Sequence, residues 1–298
     1  MRANPGPRTR LEDDTIYVLP DGPARREVTH EVSDRWLLAF AAGVSDTRQA
    51  YVDVELPDGI IAHPTFSACL EWPLVATGAP GIALTPTTLH RGLHVEQTST
   101  LHTPIRPGHV LTTVAELDVA EQRTRAVHIA TKFTTTDDSD EVVAVTRTHM
   151  LYPGVRLWGE QLSARRASRP TRTAGDLAPI GTFHVDETNA PIYTECSRIW
   201  NPIHTDRRVA KAAGLPGTVL HGTEVLARAI STITAQLPGS PTRISSVSCQ
   251  FTAPVFPHTC LTVRAARPDD RILHFDVVND GGHHAISAGT LELPAPEE

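Results

Sequence analysis

No apolar run in this chain approaches the roughly 20 residues needed to cross a bilayer. The longest, WLLAFAAGV from Trp36 to Val44, is far shorter, so neither a membrane span nor a membrane partner is expected. The N-terminus, MRANPGPRTRLEDD, lacks the apolar centre of a secretory signal and meets acidic residues early, which points to a cytoplasmic protein. Basic residues are too few for a nucleic-acid binder: 27 Lys and Arg against 34 Asp and Glu leave a net charge of −7, whereas phosphate affinity needs a concentrated basic face. Cysteine is scarce as well. Cys69, Cys196, Cys249 and Cys260 form no C-x-x-C pair, so disulfides, a metal site and a cofactor are not expected, and the thiols read as small core hydrophobes. What remains, 40% hydrophobic and 20% charged residues over 298 positions, suits two globular domains of about 150 residues each.

The most useful structural signal is an internal repeat. Residues 101 to 114, LHTPIRPGHVLTTV, resemble residues 251 to 264, FTAPVFPHTCLTVR, with Pro104, Pro107, Leu111 and Thr112 answering Pro254, Pro257, Leu261 and Thr262 at one common offset. Upstream, His63-Pro64 answers His221-Gly222. Strand-like alternation follows each: Val127, Ile129 and Phe133 in the first half, and Val247, Cys249 and Phe251, Leu261 and Val263, then Leu273, Phe275 and Val277 in the second. Period two implies one buried face per strand. Val225, Leu226, Ala229, Ile230 and Ile233 form a helical stripe that is expected to stop near Pro238-Gly239. Its counterpart, Phe66, Cys69, Leu70 and Leu74, must bend or end at Pro73. Ser33 is expected to cap a short helix that Gly43 terminates.

These elements divide the chain into a flexible leader at 1–25, a first half at 26–152, a connector at 153–180 and a second half at 181–298. The connector carries Arg165, Arg166, Arg169 and Arg172 among Pro and Gly without periodicity, the pattern of a solvated linker.

Chemistry concentrates in YTECSRIWNPIHTDRRVAKAAGLPGTVLHG, residues 193 to 222. Asn201-Pro202-Ile203-His204 holds an imidazole on a stiff turn, and Asp206 then caps a short helix ending at Gly214. His221-Gly222 opens the long amphipathic helix, whose first amides and dipole favour an oxyanion. A base near amide donors suits proton abstraction beside a thioester carbonyl, or water addition in reverse. Such chemistry also calls for a second proton-transfer group.

The ordered set Tyr193, Ser197, Asn201, Pro202, His204, Asp206, Ala213-Gly214 and His221-Gly222 resembles the MaoC-like, hydratase-2 family over most of both halves. That resemblance implies an α+β tandem double hotdog, each half a central helix wrapped by an antiparallel sheet. It implies a hydro-lyase that dehydrates (R)-3-hydroxyacyl thioesters or hydrates 2-enoyl thioesters of coenzyme A or an acyl-carrier protein, in fatty acid or polyketide metabolism, possible also as a homo-oligomer. His204 becomes the expected general base, the Gly222 amide the oxyanion donor, and Asn201 the group that orients His204 or the water. Tyr193, Glu195, Ser197, Ile199, Trp200 and His221 are the expected substrate-binding residues. The first half, with His63-Pro64 and no preceding N-P-x-H, is expected to have lost its own site and to shape the acyl pocket, His94 and Glu96 being weaker candidates for its wall.

One position departs from the family. It carries an acid/base Asp five residues before the His, and here that position is Ile199. Glu195 is the nearest carboxylate upstream, with Ser197 and Asn201 as hydrogen-bonding candidates. Two other readings stay open: an isomerase or cyclase built from the same cleft, and a noncatalytic acyl-thioester-binding module in which His204 is a satisfied turn histidine.

Overall fold

A computed structural model describes residues 11–22, 24–163, 177–237, 243–267 and 271–294. The expected helix stop at Pro238-Gly239 and the four connector arginines lie outside these residues. In the first half, strands β1 (Thr15–Val18) and β2 (Arg25–Glu31) precede helices α1 (Asp34–Gly43), α2 (Gln49–Val52) and α3 (Ser67–Val75). Strand β3 (Ile82–Ala83) and helix α4 (Pro86–Leu89) lead into β4 (Leu93–Leu101), β5 (Val110–Gln122), β6 (Ala126–Thr136), β7 (Val142–Pro153) and β8 (Arg156–Trp158). The second half runs β9 (Ala178–Val185), α5 (Asn189–Ser197), a 3-10 turn at Pro202–His204, α6 (Arg207–Ala212), α7 (Gly222–Ala235), β10 (Ser246–Phe251), β11 (Thr259–Ala266), β12 (Ile272–Asn279) and β13 (His284–Glu292).

Ten strands form one antiparallel sheet in the order β2-β5-β6-β7-β4-β10-β13-β12-β11-β9. The halves join where β4 pairs with β10, Gln97 opposite Cys249 and Ser99 opposite Val247. Each half wraps its share of the sheet around one central helix, α3 or α7, which is the tandem double hotdog. Among the described residues no helix is long and apolar enough to cross a membrane.

Two expected boundaries are corrected. The leader is not flexible over its described part: Ile16 on β1 is fully buried, and β1 lies between β3 and β8 in a small sheet that packs on Ala120, Val127 and Ile129. Apolar burial and strand pairing outweigh the polar composition of the preceding residues. The connector span is likewise narrower than 153–180, because β8 and the start of β9 fall inside it.

The two central helices differ. In α7, 14 residues long, Val225, Leu226, Ala229, Ile230 and Ile233 are buried against Val247, Leu261, Val263 and Phe275. The α3 helix has nine residues and ends two positions after Pro73, which cannot donate to the helical ladder. A shorter helix fills less of its sheet.

Candidate active site

Local sequence builds the turn that presents His204. The Asn201 side-chain oxygen accepts from the Ile203 amide at 3.4 Å, and Pro202 opens a single 3-10 turn. Asp206 then caps α6 by accepting from the Arg208 amide at 2.8 Å. Past that helix Gly214 sits at φ +85°, a conformation that a side chain would strain. The chain is thereby turned back toward Val219, and the His204 Nδ1–H donates to the Val219 carbonyl at 2.8 Å.

That bond fixes the tautomer. With the proton on Nδ1, Nε2 keeps its lone pair, and among the described residues nothing hydrogen-bonds to it. Desolvation lowers the His204 pKa to about 4, with the Val219 carbonyl opposing, so the ring is neutral near pH 7. His221 stacks on it with ring centres 3.6 Å apart. The His221 Nε2–H is shared between the Ile199 carbonyl at 3.3 Å and the Thr194 hydroxyl at 3.4 Å. Burial and the neighbouring His204 hold the His221 pKa well below its usual value. A second imidazolium there would face both penalties, so His221 stays neutral and buttresses His204.

Gly222 is the first residue of α7, and among the described residues no acceptor takes its amide proton. The absence of a side chain is needed here. A Cβ at this position would lie 3.0 Å from Cδ1 and 3.1 Å from Cε1 of Phe251. Phe251 in turn touches His94, ring centres 4.7 Å apart.

Asn201, His204, His221, Gly222 and Thr223 all line one cavity of about 520 Å³, within the range of small-molecule sites. The cavity continues into the first half, where Glu71, Trp72, His94, Gln97 and Thr131 form its wall. Among the described residues no cluster of three or more His, Cys, Asp or Glu side chains could hold a metal ion.

The expected substrate-binding set divides. Ile199, Trp200 and His221 line the cavity, Trp200 being 57% exposed. Tyr193, Glu195 and Ser197 do not. Tyr193 is fully buried in the first half's core and donates to the Thr223 hydroxyl at 3.1 Å. Ser197 is spent on the chain, donating to the Tyr193 carbonyl at 2.6 Å and accepting from the Ile199 amide. Glu195 is exposed and accepts from the Trp200 indole at 3.4 Å, outside the cleft. It cannot substitute for the absent Asp: α5 turns its position to solvent, where a carboxylate stays hydrated. Asn201 does not orient the His204 ring either, since its oxygen serves the turn and the Val219 carbonyl orients the imidazole.

Sequence reasoning missed Thr223, Phe251, Glu71, Trp72, Gln97 and Thr131. Thr223 carried a faint signal as the neighbour of Gly222, whereas the others come from elements far away in the chain. Braces from the first half were equally silent. Tyr193 and Ile199 pack with Trp36, Phe40 and Phe66, and the Arg198 guanidinium lies 4.0 Å from the Trp36 ring.

In the first half, His63 occupies the position answering His221. Both of its ring nitrogens are engaged, with the Thr65 hydroxyl at 2.9 Å and the Ser231 hydroxyl at 3.0 Å, and burial lowers its pKa to about 3. Pro64, in the place of Gly222, has no amide proton to offer. A smaller cavity of about 260 Å³ lies there.

Comparison with known proteins adds to this geometry. Residues 166–284 match the model of the MaoC like domain, and residues 22–147 that of the FAS1-like dehydratase domain region. The chain is 27% identical over 289 residues to the 3-hydroxyacyl-thioester dehydratase Y of Mycobacterium tuberculosis, covering 92% of this chain and 97% of that protein. It is 26% identical over 193 residues to the peroxisomal multifunctional enzyme type 2 of Drosophila melanogaster. That match takes in 64% of this chain but only 32% of the longer enzyme. A crystal structure of a MaoC-like dehydratase from Phytophthora capsici superposes with a TM-score of 0.81 at 20% identity, covering 94% of this chain and 97% of the other.

Proposed function

Because this chain belongs to the MaoC-like family of double hotdog proteins, we propose that it is a hydro-lyase that interconverts 2-enoyl and 3-hydroxyacyl thioesters, with His204 as the general base. One observation carries the reading. A neutral imidazole, its proton tied to the Val219 carbonyl, shares a cavity with the Gly222 amide, whose proton no acceptor among the described residues takes, at the start of a 14-residue helix.

In the dehydration direction, His204 Nε2 takes the proton from C2, and the electron pair moves toward the thioester carbonyl. The oxygen that becomes negative lies against the Gly222 N–H, where the helix dipole also favours charge. As the C3–O bond breaks, the imidazolium returns its proton to the departing hydroxyl, which leaves as water. Hydration runs the same steps backward. In this reading one base serves both transfers, Glu195, the nearest carboxylate upstream, being exposed and outside the cavity. The Asn201 amide nitrogen and the Thr223 hydroxyl, both on the cavity wall, would hold the water. The second half thus carries the chemistry and the first half the acyl chain, as His63 with both nitrogens engaged supports. A coenzyme A or carrier-protein thioester is the substrate class.

The decisive experiment incubates the protein with a panel of trans-2-enoyl-CoA thioesters and follows water addition by mass spectrometry. Turnover that falls by about 10² to 10⁴ in His204→Ala, with the fold retained by circular dichroism, is the expected result. No hydration at any chain length would overturn the reading in favour of a binding module.

A further inference from the structure

The inner faces of the two half-sheets differ in chemistry although their design repeats. Around α7 the sheet presents Val247, Cys249, Val263 and Phe275, all buried in one apolar core. At the repeat-related places in the first half stand Gln97 for Val247, Ser99 for Cys249 and Thr113 for Val263. The polar row extends across the strands: Gln97 pairs with Thr148, Thr148 with Thr131, and Ser99 with Thr146. None of these side chains is exposed at the surface; Gln97 keeps 3% of its area, Thr148 6% and Thr131 7%. Opposite them α3 contributes Glu71, also 3% exposed.

Four of these groups face a cavity rather than a packed helix. Glu71, Gln97, Thr131 and Thr148 line the same space as His204 and Gly222, because α3, nine residues long with Pro73 near its end, leaves room where the 14-residue α7 fills its sheet. Part of the row is internally satisfied, Gln97 Nε2 donating to Ser99 at 3.2 Å and Ser99 meeting Thr146 at 3.2 Å. The Gln97 carbonyl oxygen and the Thr131 and Thr148 hydroxyls have no side-chain partner among the described residues. Burial raises the Glu71 pKa to about 7, with the Thr146 and Ser67 hydroxyls opposing.

An all-hydrocarbon chain entering this space would strip water from several polar groups and return nothing, a loss that buried donors and acceptors do not tolerate cheaply. A chain with its own oxygen at that depth restores the lost bonds. We propose that the acyl chain accepted by this cleft carries an uncharged hydrogen-bonding group, a hydroxyl or keto oxygen, that docks on Glu71, Gln97, Thr131 and Thr148 away from the thioester. The inference rests on the hydro-lyase reading of the cleft and names its substrate class.

The test uses binding, so that it does not depend on turnover. Octanoyl-CoA and a set of its hydroxyoctanoyl and oxo-octanoyl counterparts, oxygenated beyond C3, are saturated and present no double bond to hydrate. Calorimetric titration of the full-length protein is expected to show at least one oxygenated chain binding tenfold or more tightly than octanoyl-CoA. Glu71→Leu and the near-isosteric Thr148→Val should each shrink that ratio, Thr148→Val serving if Glu71→Leu fails to fold. Equal or tighter binding of the plain chain at every oxygen position, or variants that leave the ratio unchanged, would overturn the proposal. Hydration of enoyl thioesters without any such preference would sink this inference alone, whereas the preference without hydration would sink the hydro-lyase reading and leave the polar pocket standing.

Discussion

Replacing Gly222 by Ala is the sharpest perturbation of the site, because it leaves every amide in place and adds one methyl group. That carbon would lie 3.0 to 3.1 Å from two ring atoms of Phe251, closer than the 3.5 to 4.0 Å of a relaxed carbon contact. The ring, which lines the cavity, must retreat by a few tenths of an ångström. Overpacking of this kind costs about 1 to 3 kcal/mol, while replacing Gly by Ala in a helix returns at most about 1 kcal/mol. A net destabilisation of about 0 to 2 kcal/mol follows, too small to unfold the protein. Catalysis should suffer more. Complete loss of one oxyanion donor costs about 10² to 10³ in kcat, and a methyl group that holds the thioester oxygen off the amide should forfeit about 10 to 10² of this. Steady-state kinetics on the best enoyl-CoA, together with thermal melting, separates the two effects. Phe251→Leu in the Gly222→Ala background should recover the melting temperature but not kcat. A Gly222→Ala enzyme with kcat/KM within twofold of wild type would refute the assignment of that amide as the oxyanion donor.

The pH–rate profile of kcat/KM should be flat through neutrality and fall as pH drops through about 4, where His204 takes the proton that it must be free to accept; a fall beginning near pH 6.5 would mean an unburied base. Stability should fall in acid because of the buried histidines. Unfolded histidines bind protons below pH 6.5, but His63, His94, His128 and His204 bind them in the native state only near pH 3 to 4, and burial beside His204 holds His221 well below its usual value too. Each therefore costs the native state stability as pH falls from 6.5 toward 4. Glu71 and Glu224, raised to about 7, oppose this, since their stabilising protons are lost as pH rises from about 4.5 to 7. Five histidines outweigh two glutamates, so denaturation midpoints should rise between about pH 5 and 6.5, as urea titrations at several pH values would reveal; a flat or falling trend would show that these rings are solvated. Asp46, 4% exposed, accepts from the Arg48 guanidinium at 2.9 Å and lies 3.8 Å from the His63 ring; its change to Ala is expected to cost about 3 to 5 kcal/mol, because breaking a buried ion pair forfeits its attraction while the remaining charge stays half-buried. Chemical denaturation measures it.

Much of the architecture was legible because it is written in local spacing. Period-two apolar strands, the Ser33 cap, the early end of α3 at Pro73 and the Asp206-capped turn depend on residues within a few positions of one another, and backbone sterics and hydrogen bonding act over that range. The duplicated prolines revealed the repeat for the same reason. Less legible were β1 and β8, whose short strands gain their stability from burying Ile16 and Leu157 under distant elements rather than from any pattern of their own.

The amino-acid order alone thus determined the kind of fold and the fact that His204 sits on a rigid turn ahead of a helix opened by Gly222. Only the tertiary structure decided what those two residues meet. Glu195, nine positions before His204, points to solvent, while Glu71, more than a hundred positions upstream, reaches the cavity. The reason is physical: a cavity wall is assembled by sheet pairing and helix length, and these bring together side chains whose separation along the chain carries no information about their distance in space.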